Sequence, residues 1–422
     1  MKRPWLDRRT AHGRFDVLDY VLFLPCIWTA SALGFSISIM GPLFLIIPVF
    51  CIFYALLRRT LPPRLLAIYV ALCALAGVAS YYRLFPASWQ TAFLDEAIAR
   101  QLVPTFSFFA VAWASKAYFR RRLRLHDPFA GELIILFLCF GVAPIIMLLG
   151  NIHYQEDSTE LTVLAAYGTF INNIIIGIFF VMGRLFCGRG GGRLAAGGAV
   201  LAIAATTHFV QFWLATAAAF AARLRAPARL TALAMVVLLV SAYGYLLTRI
   251  PQEMAANPNK GIRVAFVADA FTSLRDTDGL GIGYGTESVR WTYRFPGMAT
   301  FTFMPNPQAI SRDRLLEVLS RGVHNSFVQA MLRTGVPGAV LLLLAIFAAF
   351  PRRNLPKPVA AHASILFAII FISCFVNAAL ESPIELVGIA FVYGYLLALR
   401  SCTAALPSPP RHDLSQAAPA TN

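Results

Sequence analysis

The chain reads as an all-α integral membrane protein of about twelve transmembrane helices, with one large, partly helical outward loop between spans nine and ten. Three observations predict this class. Of 422 residues, 58% are hydrophobic and only 13% are Asp, Glu, Lys or Arg, about half the roughly 25% charged residues of a soluble domain. Apolar runs approaching the roughly 20 residues that cross about 30 Å of hydrocarbon recur along the chain. The 36 basic residues are bunched in alternate gaps between those runs. Such a composition excludes a soluble enzyme, a disordered chain and a disulfide scaffold. The formal charge of +16 then asks whether the cations serve nucleic acid, anionic lipid or topology, and their positions decide it.

In chain order the spans fall near 17–35, 38–57, 65–82, 102–119, 133–150, 161–182, 194–207, 208–222, 230–248, 336–350, 361–380 and 384–399. Residues 194–222 can form one long tilted helix or two short ones turning near Thr206, Thr207 and His208. The positive-inside rule favours two. With twelve passes, one side holds the basic N-terminus, Arg58, Arg59 and Arg64, Lys116 with Arg120 to Arg124, Arg184 to Arg193, Arg223 to Arg229, Arg352 to Lys357, and Arg400 with Arg411. That is 24 of the 36 basic residues, and it makes this side and both termini cytoplasmic. The short loops opposite hold only Arg83 and Arg100. Those 24 cations are topology determinants, with no nucleic acid involved.

Five cysteines fall inside spans, and Cys187 and Cys402 fall on the cytoplasmic side, so no disulfide framework is expected. Ala30–Ser31–Ala32 resembles a signal-peptide cleavage site, but eleven further spans favour an uncleaved first helix. No internal repeat points to the inverted halves of a transporter. The expected organisation is nine spans over 1–248, an outward catalytic loop over 249–335, three spans over 336–400 and a disordered tail over 401–422.

The 249–335 loop carries ten basic residues and seven acids, a net +3. A helical pattern from about Gly261 to Arg275 sets Arg263 on one stripe with Val267, Ala270 and Leu274. A second helix is expected near Ser311 to Ser320, stopped at Gly322. His324–Asn325–Ser326 follows directly, with Asn325 or Ser326 capping a third helix that Gly335 and Pro337 end. His324 thus falls at a tight joint, before a helix N-terminus whose positive end disfavours an imidazolium. A neutral ring there can accept a proton near pH 7. The alternative role is a capping or packing histidine. Between the first two helices, Gly279–Leu280–Gly281–Ile282–Gly283–Tyr284–Gly285 permits close backbone approach, without the strand and helix that frame a dinucleotide site.

An arginine (Arg263), a Gly–hydrophobic–Gly turn (Gly281–Ile282–Gly283), a His–Asn pair (His324–Asn325) and a glycine pair (Gly335 and Gly338) leading into a membrane helix together resemble the O-antigen ligase and polymerase superfamily. The match covers about 75 residues, and the twelve-span layout agrees over the rest. The resemblance implies inverting glycosyl transfer at the periplasmic face of the bacterial inner membrane. The donor is a polysaccharide on undecaprenyl pyrophosphate, the ligase acceptor is a lipid A-core sugar, and no cofactor is needed.

The residues suit that chemistry. A pyrophosphate leaving group needs its growing charge met, which arginine does bidentately, and the acceptor hydroxyl needs a neutral base. His324 fits the base and Arg263 the phosphate clamp. Arg275, Arg290 and Arg321 are further substrate-binding candidates, with Asn325 beside the histidine; Arg275 equally suits a helix C-terminus. Arg83 and Arg100 can hold lipid phosphate or anchor at the interface. Glu381, in the turn between the last two spans, can orient His324, bind the acceptor or simply snorkel. Asp276–Thr277–Asp278 has the spacing of a divalent-metal motif, but Asp278–Gly279 also reads as a turn, and two carboxylates make a thin metal site.

The motifs do not separate ligase from polymerase; a single dominant outward loop favours the ligase. A polyprenyl-glycan flippase is the alternative of another class. Proton-coupled transporters usually bury acids in their spans, and here the deep positions offer Asn172, Asn173, His208, Gln211 and Asn377 instead.

Overall fold

The computed structural model describes residues 19–24, 26–27, 41–85, 94–124, 175–176, 179, 183, 258–285, 292–293, 301–302, 325–352, 355–376, 380 and 386–403. Its helices are α1 (Gly41–Leu57), α2 (Arg64–Tyr81), α3 (Leu94–Arg124), α4 (Pro258–Asp276), α5 (Ser326–Phe347), α6 (Lys357–Val376) and α7 (Leu386–Thr403). A π-helical turn spans Asp19–Phe23. Leu24, Cys26, Ile27, Ile175, Ile176, Phe179 and Gly183 are also helical, and β1 (Thr292–Tyr293) pairs antiparallel with β2 (Phe301–Thr302).

Among the described residues, four helical stretches are long and apolar enough to cross a membrane: Arg64–Tyr81, Ala97–Leu123, Ser326–Phe347 and Lys357–Phe375. Ile46–Leu57 and Leu386–Cys402 are shorter apolar helices. Helices α1, α2, α6 and α7 fall within a few residues of expected spans, and α4 matches the expected loop helix. The spans expected at 133–150, 194–207, 208–222 and 230–248 lie outside the described residues, as does most of 161–182 and the loop helix near Ser311.

Two helices differ from expectation. The one expected over 102–119 begins at Leu94 and runs to Arg124. Leu94–Asp95–Glu96–Ala97–Ile98–Ala99–Arg100 contains no helix breaker and several strong helix formers, so the helix continues past the apolar stretch. Arg100 therefore belongs to a helix and not to a loop. The helix expected to end at Gly335 and Pro337 instead kinks there and continues to Phe347.

Helix α3 is the axis of the bundle. Helix α7 packs along it, α1 and α2 lean on it, α5 packs on α2, and α6 touches both α5 and α7. The α3–α7 contact is close: a Cβ on Gly394 would come 2.6 Å from the Ala112 carbonyl oxygen, the small-residue contact by which membrane helices gain packing where lipid is as apolar as leucine. Around it, Phe119 meets Phe179, Phe391 and Tyr395 edge-on at 5.0–5.3 Å. This ring cluster brings Phe179, a residue of the sixth expected span, onto the axis.

The bundle has two chemically different ends. Along α2, Arg64 and Ser80 are about 24 Å apart at 1.5 Å per residue. Arg58, Arg59, Lys116, Arg120, Arg121, Arg122 and Arg400 gather at the Arg64 end. There Trp113 Nε1 donates to the Thr60 carbonyl (2.8 Å), Lys116 Nζ to Leu61 (2.8 Å) and Arg400 to Ala348 (2.8 Å). Asp19, 1% exposed, accepts from Tyr54 and Arg58 at 2.6 Å each, with Arg122 at 3.9 Å. These four residues tie the Asp19–Phe23 turn to α1 and α3. The glycine-rich run lies at the Ser80 end.

Candidate active site

Helix α4 stops in a Schellman pattern: Gly279 N–H donates to the Leu274 carbonyl (2.8 Å) and Asp278 N–H to Arg275 (3.3 Å). Such a cap needs a left-handed residue, usually glycine; here Asp278 takes it with φ 50°. Asp276–Thr277–Asp278 is therefore a helix end, the turn that Asp–Gly suggested. Among the described residues, no group of three His, Cys, Asp or Glu is arranged to hold a metal.

The glycine run then docks on the protein's own backbone. Ile282 N–H donates to the Leu332 carbonyl (2.7 Å), and Val336 N–H donates to the Gly279 carbonyl (3.0 Å). In a straight α5, Val336 would have bonded Leu332; Gly335, at φ 72°, breaks that geometry and both groups turn to the glycine run. Pro337 removes the next helical donor. The approach allows no side chain: a Cβ on Gly281 would lie 2.7 Å from the Leu332 oxygen, and one on Gly335 2.6 Å from the Gly279 oxygen. The Gly–hydrophobic–Gly turn and the glycine of the helix are thus two halves of one joint.

Buried side chains extend the joint into the bundle. Tyr284 N–H donates to Ser80 Oγ and Gly285 N–H to Gln101 Oε1, both at 2.7 Å. Arg333, 1% exposed, donates from Nη1 to the Gly283 carbonyl at 3.0 Å, its guanidinium 6.0 Å from the Tyr284 ring centre. These contacts connect α2, α3, α4 and α5 through seven residues of turn.

At the start of α5, Asn325 Oδ1 accepts from Phe327 and Val328 N–H, each at 3.0 Å. It is the N-cap. Ser326 Oγ accepts from Leu380 N–H at 3.3 Å, which joins the start of α5 to the turn between α6 and α7. The residue preceding Asn325 is His324, and the residue following Leu380 is Glu381.

The candidates read from sequence divide as follows. His324, Arg290, Arg321 and Glu381 lie outside the described residues. Arg263 belongs to α4, and Val267, Ala270 and Leu274 of its stripe are buried; its own side chain lies outside the described residues, as does that of Arg100. Arg275 is 83% exposed in the last turn of α4, with its Nε 3.8 Å from Asp276. Asn325 is buried, its carbonyl oxygen engaged with the helix. Arg83 is exposed, at φ 57°. It holds the left-handed position of the α2 cap, donating to Ser80 while Leu84 donates to Ala79, both at 2.9 Å, just past the serine that receives Tyr284.

Sequence reasoning missed Arg333, Ser80 and Gln101. Arg333 counted only among the ten cations of the loop. Its signal was position: Ser326, Gln329 and Arg333 fall at i, i+3 and i+7, a polar stripe that is buried along its length. Ser80 and Gln101 carried no comparable mark.

No curated protein matches the chain. A family model described as O-antigen ligase matches residues 174–343, from the segment of Phe179 through α4 and the glycine joint into α5, and this match supports the O-antigen ligase family for the chain, with a ligase- or polymerase-type function at a membrane.

Proposed function

We propose that the protein is an O-antigen ligase, transferring polysaccharide from undecaprenyl pyrophosphate to a sugar hydroxyl of lipid A-core, with inversion and without metal, at the periplasmic face. One observation carries this reading: two pieces of the motif, the Gly281–Ile282–Gly283 turn and Gly335, meet in one backbone joint at the bundle end away from the basic clusters. The Gly281 turn closes the helix of Arg263, and it docks on the helix whose first turn follows His324. That end faces the periplasm under the positive-inside rule, with both termini cytoplasmic and residues 249–335 as the catalytic loop.

In this reading the acceptor oxygen attacks the anomeric carbon on the face opposite the pyrophosphate. The new C–O bond forms as the bond to the phosphate oxygen breaks, and the pyrophosphate departs with the electron pair. His324 takes the hydroxyl proton, and Arg263 meets the charge that grows on the leaving group. Each charge-assisted hydrogen bond contributes about 1.5–3 kcal/mol, and a positioned base contributes about 10²–10⁴-fold. Glu381, the neighbour of the Leu380 that bonds Ser326, orients the histidine. Arg275, Arg290, Arg321, Arg83 and Arg100 are the cations available to the donor's phosphates and glycan.

Purified protein given lipid-linked polysaccharide and lipid A-core is expected to form joined product with chelator present and nucleotide absent. His324→Ala is expected to lower the rate about 10³-fold while the protein stays monodisperse in detergent. Wild-type rate in that variant removes His324 as base, and loss of activity to chelator removes the metal-free mechanism. A second lipid-linked glycan offered in place of lipid A-core separates the reactions: product only with lipid A-core supports the ligase, whereas elongation of the lipid-linked glycan makes the protein a polymerase.

A further inference from the structure

Arg333 is a fully buried cation on a membrane helix, and such a group is expensive to place in any apolar setting. It fastens a backbone joint: its Nη1 holds the Gly283 carbonyl and its guanidinium lies by Tyr284. Those two residues follow Ile282, whose N–H bonds Leu332 one position before the arginine. Immediately beyond, Gly335 breaks the helix. A kink with Pro337 leaves the helix short of internal bonds, and the turn supplies them only while it stays in register. We propose that Arg333 is a positioning residue. It clamps the 279–285 turn onto the kink of α5 and so sets the Arg263-bearing helix in register with the helix that begins after His324.

This inference rests on the ligase reading, but it reaches a residue which takes no part in the chemistry. Displacement by about 1 Å of groups that must meet in a transition state costs on the order of 10²-fold in rate. The clamp therefore governs turnover rather than substrate capture. A role confined to stability would instead lower the yield of folded protein and leave turnover per folded molecule unchanged.

The test uses the full chain in detergent, with lipid-linked polysaccharide and lipid A-core as substrates. Arg333→Met keeps the length of the side chain and removes its donors. It is expected to lower kcat about 100-fold with KM for the donor within about twofold, and Arg333→Lys, which keeps the charge and an ammonium donor group, to recover at least tenfold of that loss. Gly281→Ala attacks the same joint without touching the arginine and is expected to reproduce the kcat defect. The double variant is expected to be no worse than the poorer single one, because both break one unit. Hydrogen exchange at the amides of Ile282, Tyr284 and Gly285 is expected to accelerate in Arg333→Met. Unchanged exchange overturns the clamp whatever the activity. Accelerated exchange with wild-type kcat, or losses that multiply in the double variant, overturns the positioning role. A wild-type protein that joins nothing removes the ligase reading, while exchange still decides the clamp.

Discussion

The two ends of the bundle are held by different kinds of contact. At the basic end, arginines reach inward to a carboxylate and outward to carbonyls at helix ends: Arg58 and Arg122 on Asp19, Arg400 on Ala348. At the other end, backbone bonds backbone, and the buried Arg333 holds a carbonyl of the same turn. Long side chains with several rotors can adjust to a change nearby. A joint made of Ile282 N–H on Leu332 and Val336 N–H on Gly279 has no such freedom, since Cβ atoms at Gly281 or Gly335 would lie inside contact distance. The basic end therefore resembles an anchor, and the glycine end a fixed mount. Variants at the first should change stability, and variants at the second should change turnover.

The largest effect is expected at the anchor. Asp19→Ala leaves Arg58 and Arg122 around a site without its carboxylate, and losing one partner of a buried pair costs about 3–5 kcal/mol. The rim position of Arg58 places the expectation near the lower figure. Thermal unfolding in detergent should show it as a large drop in midpoint, while the joining rate per folded molecule stays near wild type. If turnover fell as far as is expected for His324→Ala, the two ends would be coupled and the division of labour would fail.

How much of this was readable from the sequence depends on the range of the signal. Apolar length is a local property, so α1, α2, α6 and α7 lie where the hydropathy puts them, and α4 lies where the 3.6-residue stripe through Val267, Ala270 and Leu274 puts it. The N-cap at Asn325 was equally legible, because capping is written in one residue and the two amides after it. Helix ends were less so. Gly335 and Pro337 read as a stop, yet α5 continues: the hydrogen bonds lost at the kink are replaced by a turn fifty or more residues earlier, and no local pattern carries that. The glycine run likewise announced close approach without saying to what. Its target is Leu332 and Val336 in the same chain. Ser80 and Gln101 were invisible for the same reason, each being one ordinary polar residue whose partner, Tyr284 or Gly285, lies about two hundred positions away.

Asn325 lies where the comparison can be sharpened. Its oxygen serves two helix amides, so Asn325→Ala is expected to cost about 1 kcal/mol, measurable as a modest fall in unfolding midpoint. Asn325→Asp preserves the acceptor and should restore the midpoint. If the side-chain amide also contacts substrate, the aspartate variant will remain slow although it is stable, since it lacks the amide donors and adds a negative charge near an anionic donor. Full recovery of both stability and rate would confine Asn325 to capping and assign recognition to its neighbours.

The smallest effect is expected at Arg275, which tests whether every cation at the glycine end belongs to the mount. Its side chain is 83% exposed and its ion pair with Asp276 is long at 3.8 Å; exposed pairs of this kind contribute about 0–1 kcal/mol. A cation in the last turn of α4 is also favoured by the helix dipole alone. Arg275→Ala should therefore leave the unfolding midpoint nearly unchanged and change kcat/KM less than about twofold, within the range of a solvated surface charge. A tenfold rise in KM for the lipid-linked donor at unchanged kcat would instead make Arg275 a phosphate or glycan contact. The binding surface would then reach past the joint onto the exposed end of α4, and mount and binding surface would share one turn of helix.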